Sequence, residues 1–505
     1  MMKKLFLALA FFILLVTSCF AATWTAAAGG GNWNSNDTWE EGGGYPVAGD
    51  TAIFDSGSGN VTCAANSACA VLNMTGYTNT LTIGTKNLVV SGNATVAGYV
   101  LMGITSSTGW SIGGDLLLLS GGDVTCVNYS KIVCSGSLDF SAGTYHGASL
   151  AVITFNATSS GKTITSGSAS FNKVYFNGVG AVWTLGDNFT ATWSPVAFTA
   201  GTLILDGRAM TISRSQTVTI ANGFTLVIGT GTLTTGSAVS TSTLSVADGG
   251  VVTISTGSIY YFGLNVAGTL TCSGAADIRT NYNIALGSGF TAGTSTIRQN
   301  VGGAATLSSV NPLYNFEIGN TVFSVATILA SDIVIQNDLI FNYAASRTRD
   351  LYASTYTLTI GGNFTCNAVG CTFNADTGTV VFNNAAKIST ITGTTTFNIL
   401  QCLTQDKAVK FKAGQTFTVA SFDFTGAASH LILIDTDTAA GTFTLSDSAG
   451  TNQVEYCDIH RSTATGVATW NAFTTDGNVD GGGNSGWIFT APAAGGFSAL
   501  MLSGD

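Results

Sequence analysis

YTLTIGGNFTCNAVGCTFNADTGTVVFNN, residues 356–384, sets the pattern for the rest of the chain. Leu358 and Ile360 alternate with Thr357 and Thr359, the period of two that marks a strand with one buried face. Gly361-Gly362 breaks the run, a short strand follows through Phe364, and after a small-residue turn Thr379 to Phe382 forms the next. The unit is strand, glycine turn, strand, glycine turn, with no helix between.

Working outward, the same unit recurs with drift. Ser111 to Cys126, SIGGDLLLLSGGDVTC, repeats the glycine-pair turn. Ile153 to Ala191 and Val381 to Ala420 are counterparts, with Phe155, Phe171 and Phe189 matching Phe382, Phe397 and Phe417. Steps of roughly 15 to 25 residues, all strand and turn, predict stacked coils that share one core. A β-sandwich array is the rival, but no linker or charge run divides Val61 to Gly450. The expected fold is all-β: a single elongated parallel β-helix, or β-solenoid.

Composition agrees. Charged residues are 9% of the 505-residue chain, against roughly 25% in typical soluble domains. The 63 glycines suit turns, and the four prolines are few enough for long backbone ladders. With a formal charge of -10, the fifteen Lys and Arg left after Lys3 and Lys4 form no basic stripe. Binding to nucleic acid through phosphates is therefore not expected, nor is attraction to anionic lipid.

Residues 1–21 have the parts of an export signal: a basic start, the apolar run Leu5 to Val16, then small residues. Val16-Thr17-Ser18-Cys19 also resembles a bacterial lipobox that would make Cys19 a lipid anchor, although simple secretion is favoured. No transmembrane segment is expected in the mature chain. Residues 22–60, with Trp24, Trp33 and Trp39 among glycines, are expected to cap the coil. Residues 61–450 are the solenoid repeats, 451–490 the C-terminal rungs and cap, and 491–505 a tail.

The spacing Trp24, Trp33, Trp39, Pro46 and Asp50 resembles the start of many bacterial surface proteins, and Val454 to Phe489 resembles their closing run. The strands between are similar to right-handed parallel β-helix repeats of autotransporter passengers and filamentous-haemagglutinin-type adhesins. The resemblance covers nearly the whole mature chain and implies a secreted or surface-displayed structural protein or adhesin. Glycans or cell-surface components would be its partners. No membrane-barrel sequence follows Phe489, so autotransport by this chain is not expected.

An enzyme is the alternative, since β-helix families include polysaccharide lyases and hydrolases; a fibre or stalk subunit is another. The polygalacturonase-type Asp-Asp pair, Asn-Thr-Asp and Gly-His-Gly are absent, and Tyr145-His146-Gly147 stands alone. No catalytic residue is assigned. Three acidic spots remain. Asp458 and His460 share a strand face beside Arg461, and Asp435 and Asp437 share another if the strand Leu431 to Ile434 continues. Asp476, Asn478 and Asp480 fit the first half of a calcium loop, but Trp487 stands where its closing Glu belongs. Calcium is the one cofactor considered. Export permits disulfides, and three pairs lie close in sequence: Cys63 with Cys69, Cys126 with Cys134, and Cys366 with Cys371.

Overall fold

The structure, a computed structural model, describes residues 21–103, 109–235, 242–300, 302–319, 324–342, 347–366 and 370–491. Residues 1–20 of the expected export signal, with Cys19, and nearly all of the tail lie outside the described residues. The chain divides into two units, Met1–Thr253 and Ile254–Asp505. Each is a parallel β-solenoid, with about 18 turns in all. Among the described residues there is no α-helix, and only Asn36–Thr38 and Thr474–Asp476 form 3-10 turns.

The stretch at 356–384 spans just over one coil. Thr357–Ile360 forms one side, and Gly361-Gly362 turns the corner into Phe364–Thr365. Cys371–Asn374 forms a third side, and Thr379–Phe382 returns beside the start, with Leu358 opposite Val380 and Ile360 opposite Phe382. All four of these side chains are buried. The glycine pair is needed for close approach between coils: a Cβ on Gly361 would lie 2.3 Å from the Gln336 carbonyl oxygen, and one on Gly362 2.5 Å from Asp338 Oδ1.

Asn and Asp at the corners do more than turn the chain. Asn315 Oδ1 accepts from the Asp338 amide, Asp338 Oδ1 from the Asn363 amide, and Asn363 Oδ1 from the Thr390 amide. Each side-chain oxygen satisfies a backbone donor of the next coil where the ladder is interrupted. The same device holds Asn66, Asn87 and Gly109 in the first unit.

Coil length is not constant. Partners in paired strands lie as close as Asn452 and Trp470, 18 residues apart, and as far as Gly31 and Val61, 30 apart. The phenylalanine match of the sequence also takes its physical meaning here. Phe155 stacks on Phe176, and Phe176 on Phe198, with centroids 5.1 and 5.3 Å apart. Phe171 stacks instead on Phe189 at 5.0 Å. The step from Phe155 to Phe171 therefore runs between two faces of one coil, not between successive coils.

In residues 22–60, Thr23–Thr25 already pairs in parallel with Thr51–Ile53, so this stretch carries ladder strands as well as tryptophans. Trp33 and Trp39 meet edge to face at 5.1 Å, and Trp33 packs on Phe54 at 5.9 Å. Trp39 Nε1 donates to the Trp33 carbonyl, Trp33 Nε1 to the Pro46 carbonyl, and Trp24 Nε1 to Asp50. The Trp-Trp-Trp-Pro-Asp spacing is thus hydrogen-bonded throughout.

Candidate functional site

The charged face of the last coils gathers most of the residues that the sequence singles out. Four parallel strands build it: Ala408–Phe411, Ile432–Thr436, Cys457–Ile459 and Val479–Asp480. Alternation sends Ile432, Ile434 and Thr436 into the core and leaves Asp435 on the outer face. Lys410 stands beside Asp435 in register, and Leu433 beside Asp458.

Two sequence-predicted clusters meet here. Arg461 follows the Cys457–Ile459 strand with a φ of +52°, which turns its side chain back over the face. Its Nη2 donates to both oxygens of Asp435 at 2.5 Å. Asp437 takes its own cation, Lys412 Nζ at 2.8 Å, together with the Ala413 amide. Burial pushes the Asp437 carboxyl up, but the bonds from Lys412 and Ala413 and the lysine charge outweigh it, so it stays below the usual carboxylate value. His460 Nε2 lies 2.9 Å from Asp458 Oδ1. Asp435 and Asp437 are therefore not a carboxylate pair working on one atom. Each is bound to a separate cation, and acid–base catalysis needs groups free to exchange a proton with substrate.

The calcium-loop residues are occupied by other bonds. Asn478 is buried, its Oδ1 accepting from the Cys457 amide and its Nδ2 donating to the Val454 and Phe473 carbonyls. Asp480 Oδ1 accepts from Gly482 and Asn484, and Asp476 Oδ2 from Gln453. Among the described residues no group of three or more His, Cys, Asp or Glu side chains could hold a metal ion. Asn478 is a rung staple of the kind seen along the fold.

Of the cysteines, Cys366 and Cys371 form a disulfide, with Cα atoms 5.6 Å apart. Cys63, Cys69, Cys126 and Cys134 are buried free thiols, which corrects the expected local clips. Cys126 lies in the ladder that holds Tyr99–Met102, whereas Cys134 lies in the one that holds Gly109–Ile112. The two therefore sit on different sides of the coil. Cys126 packs on Met102 with sulfurs 3.5 Å apart, and Cys134 lies against the Gly136 and Ser137 carbonyls. Burial pushes the thiols of Cys63 and Cys134 up to about 11, and those of Cys69 and Cys126 to about 12. His146, the lone histidine of Tyr145-His146-Gly147, sits 3.3 Å from Asp123.

Sequence reading misses a second ion network. Arg298 binds Glu317 at 2.6 Å, Arg279 binds Asp277 at 2.8 Å, and Tyr260 donates to Asp277 while its ring lies under Arg279. Asp277 and Arg279 share one strand, but Arg298 and Glu317 each lie 19 residues further on and join only through the ladder, in which Arg279 faces Arg298 and Arg298 faces Glu317. Charges this sparse, 9% of the chain, are the one signal that could have found them. No family model matches the chain, and no similar curated protein or solved structure was found.

Proposed function

We propose that the chain is a contact-acting structural protein or adhesin, exported and displayed at a surface, with no hydrolase or lyase chemistry of its own. The observation that supports it is the outer face of the ladders. Ser170, Thr190, Thr211 and Thr234 occupy one register position on four successive coils. Thr418, Ser446 and Thr465 repeat the arrangement. Such rows repeat at the inter-strand spacing of about 4.8 Å, so a weak hydroxyl or amide contact made on one coil can be made again on the next. The tryptophans of residues 22–60 and the close contact of Trp470 with Trp487 are read as coverings for the ends of the core.

The ionisable groups favour the same reading, because the carboxylates best placed for chemistry are held by Arg461 and Lys412. The test is a glycan and cell-surface panel incubated with the purified mature chain. Retention without product release is the expected result. Product release that disappears in Asp435→Ala, Asp437→Ala or His460→Ala would overturn it in favour of the enzyme.

A further inference from the structure

The second unit carries an open groove walled by a lysine. Its volume is about 680 Å³, and Tyr314, Val334, Gln336 and Lys387 are among the residues that line it. That size is within the roughly 300–1,000 Å³ usual for small-molecule sites. Val334 and Gln336 are exposed along one side, and Asn383 at the lip supplies a further exposed amide. Tyr314 offers an aromatic ring.

Lys387 forms the far wall. Its Nζ lies 5.4 Å from the Tyr314 ring centroid and donates to Asn337 Oδ1 at 2.5 Å. The wall is held rigidly from beneath. Lys407 is fully buried, and its Nζ donates to the Lys387 carbonyl, the Ser389 hydroxyl and the Gly361 carbonyl. Gly361 itself lines the groove. The Asn384 side chain accepts from the Ala386 amide and closes the turn that presents Lys387.

Neither lysine has a carboxylate partner among the described residues, whereas Lys412, Arg279, Arg298 and Arg461 all do. Burial pushes the Lys407 ammonium down to about 8, with the nearby Lys387 charge acting in the same direction and Cys402 against it. Lys407 is thus still largely protonated at neutral pH. Two positive charges therefore bear on one groove of a chain whose net charge is -10. A cation left unpaired beside an aromatic ring and exposed amides matches a ligand with a carboxylate, an apolar ring face and several hydroxyls.

We propose that this groove binds an acidic sugar, a hexuronate within a glycan chain. Its carboxylate pairs with Lys387, its C–H face lies against Tyr314 and Val334, and Gln336 and Asn383 meet its hydroxyls. Lys407 touches no ligand; it positions Lys387. The assignment rests on the contact-acting reading above and gives it a ligand class.

The experiment titrates the full mature chain with a galacturonate oligomer, a neutral gluco-oligosaccharide of the same length and inorganic phosphate, by calorimetry. The galacturonate oligomer is expected to bind, and the neutral oligomer to bind much more weakly. Lys387→Met should weaken uronate binding by roughly tenfold or more, the loss of one charge-assisted contact. Lys387→Arg should keep most of the binding, and Tyr314→Ala should weaken it with circular dichroism unchanged. No uronate binding, binding indifferent to Lys387→Met and Tyr314→Ala, or phosphate binding as tight as uronate binding would each overturn the proposal. Cleavage of the oligomer would instead overturn the contact-acting reading and leave the site in place, so the two failures are distinguishable.

Discussion

The two units share one backbone plan and stabilise it differently. In the first, Phe176 touches Phe155, Trp183, Phe189, Phe198 and Phe224 in a continuous aromatic stack. Among the described residues its single ion pair is His146 with Asp123. The second unit also has buried rings, such as Phe411 on Phe443 at 4.5 Å. In addition it carries the Asp277–Arg279–Arg298–Glu317 network, the Asp435–Arg461 and Asp437–Lys412 pairs, and the groove walled by Lys387. The difference teaches that the coil needs only its inward residues. Outward positions are free to differ, and in this chain polar chemistry has collected in one unit.

The largest expected effect tests the aromatic half. Phe176→Ala empties the centre of the stack and should cost about 3–5 kcal/mol, read as a lower urea midpoint of the full chain. A loss below about 1 kcal/mol would mean that the stack is replaceable, and would break the comparison.

Next comes the ion pair that holds the buried Asp435 carboxylate. Arg461→Met leaves Asp435, 6% exposed, without its cation and should cost about 2–3 kcal/mol. Adding Asp435→Leu should restore most of that, because the cost lies in the orphaned carboxylate and not in the lost attraction. A double variant no more stable than the single one would count against this account.

Lys407 gives a pH test of similar or smaller size. Its ordinary value of 10.5 falls to about 8 on folding, so between these limits the unfolded chain holds a proton that the folded chain has released. Stability from this group must therefore rise with pH across that window, by roughly 1–3 kcal/mol. Buried thiols act in the opposite sense. Cys126, raised from 9.0 to about 12, stabilises fully below 9 and loses that contribution as pH climbs toward 12. The Lys407 effect is isolated as the difference between the wild-type chain and Lys407→Met in urea titrations at pH 8 and pH 10. An identical pH slope in the two would refute it.

The smallest effect is expected on the exposed flank. Lys412 is 42% exposed at its side chain, so Lys412→Ala should cost under about 1 kcal/mol and progressively less as salt is added. A loss comparable to that of Arg461→Met would show that the charged face works as one network.

How much of this was legible can be followed residue by residue. Leu358 and Ile360 announce their strand because alternation is a local property, and the corner glycines beside them announce the turn. Asp435 was legible as an outward carboxylate for the same reason. Its partner was not, since Arg461 lies 26 residues away across a coil of variable length. Asn478 fits a metal-loop spacing, yet spends its carboxamide on the backbone of Cys457, Val454 and Phe473. Cys126 and Cys134 are close in sequence and belong to different sides of the coil. Lys407 is one of three lysines in KAVKFK at 407–412, yet it is buried while Lys412 is exposed.

By itself the sequence determined the repeating strand, the parallel coil and the scarcity of charge, because alternation, turn residues and composition act over a few neighbours at a time. Only the tertiary structure decided which charges are paired, which cysteines meet, and that Tyr314 and Lys387, 73 positions apart in the sequence, share a groove. The physical reason is the stacking itself. Partners in paired strands lie 18 to 30 residues apart with no constant step, so contacts along the stack are set by the summed lengths of the turns and not by any local pattern.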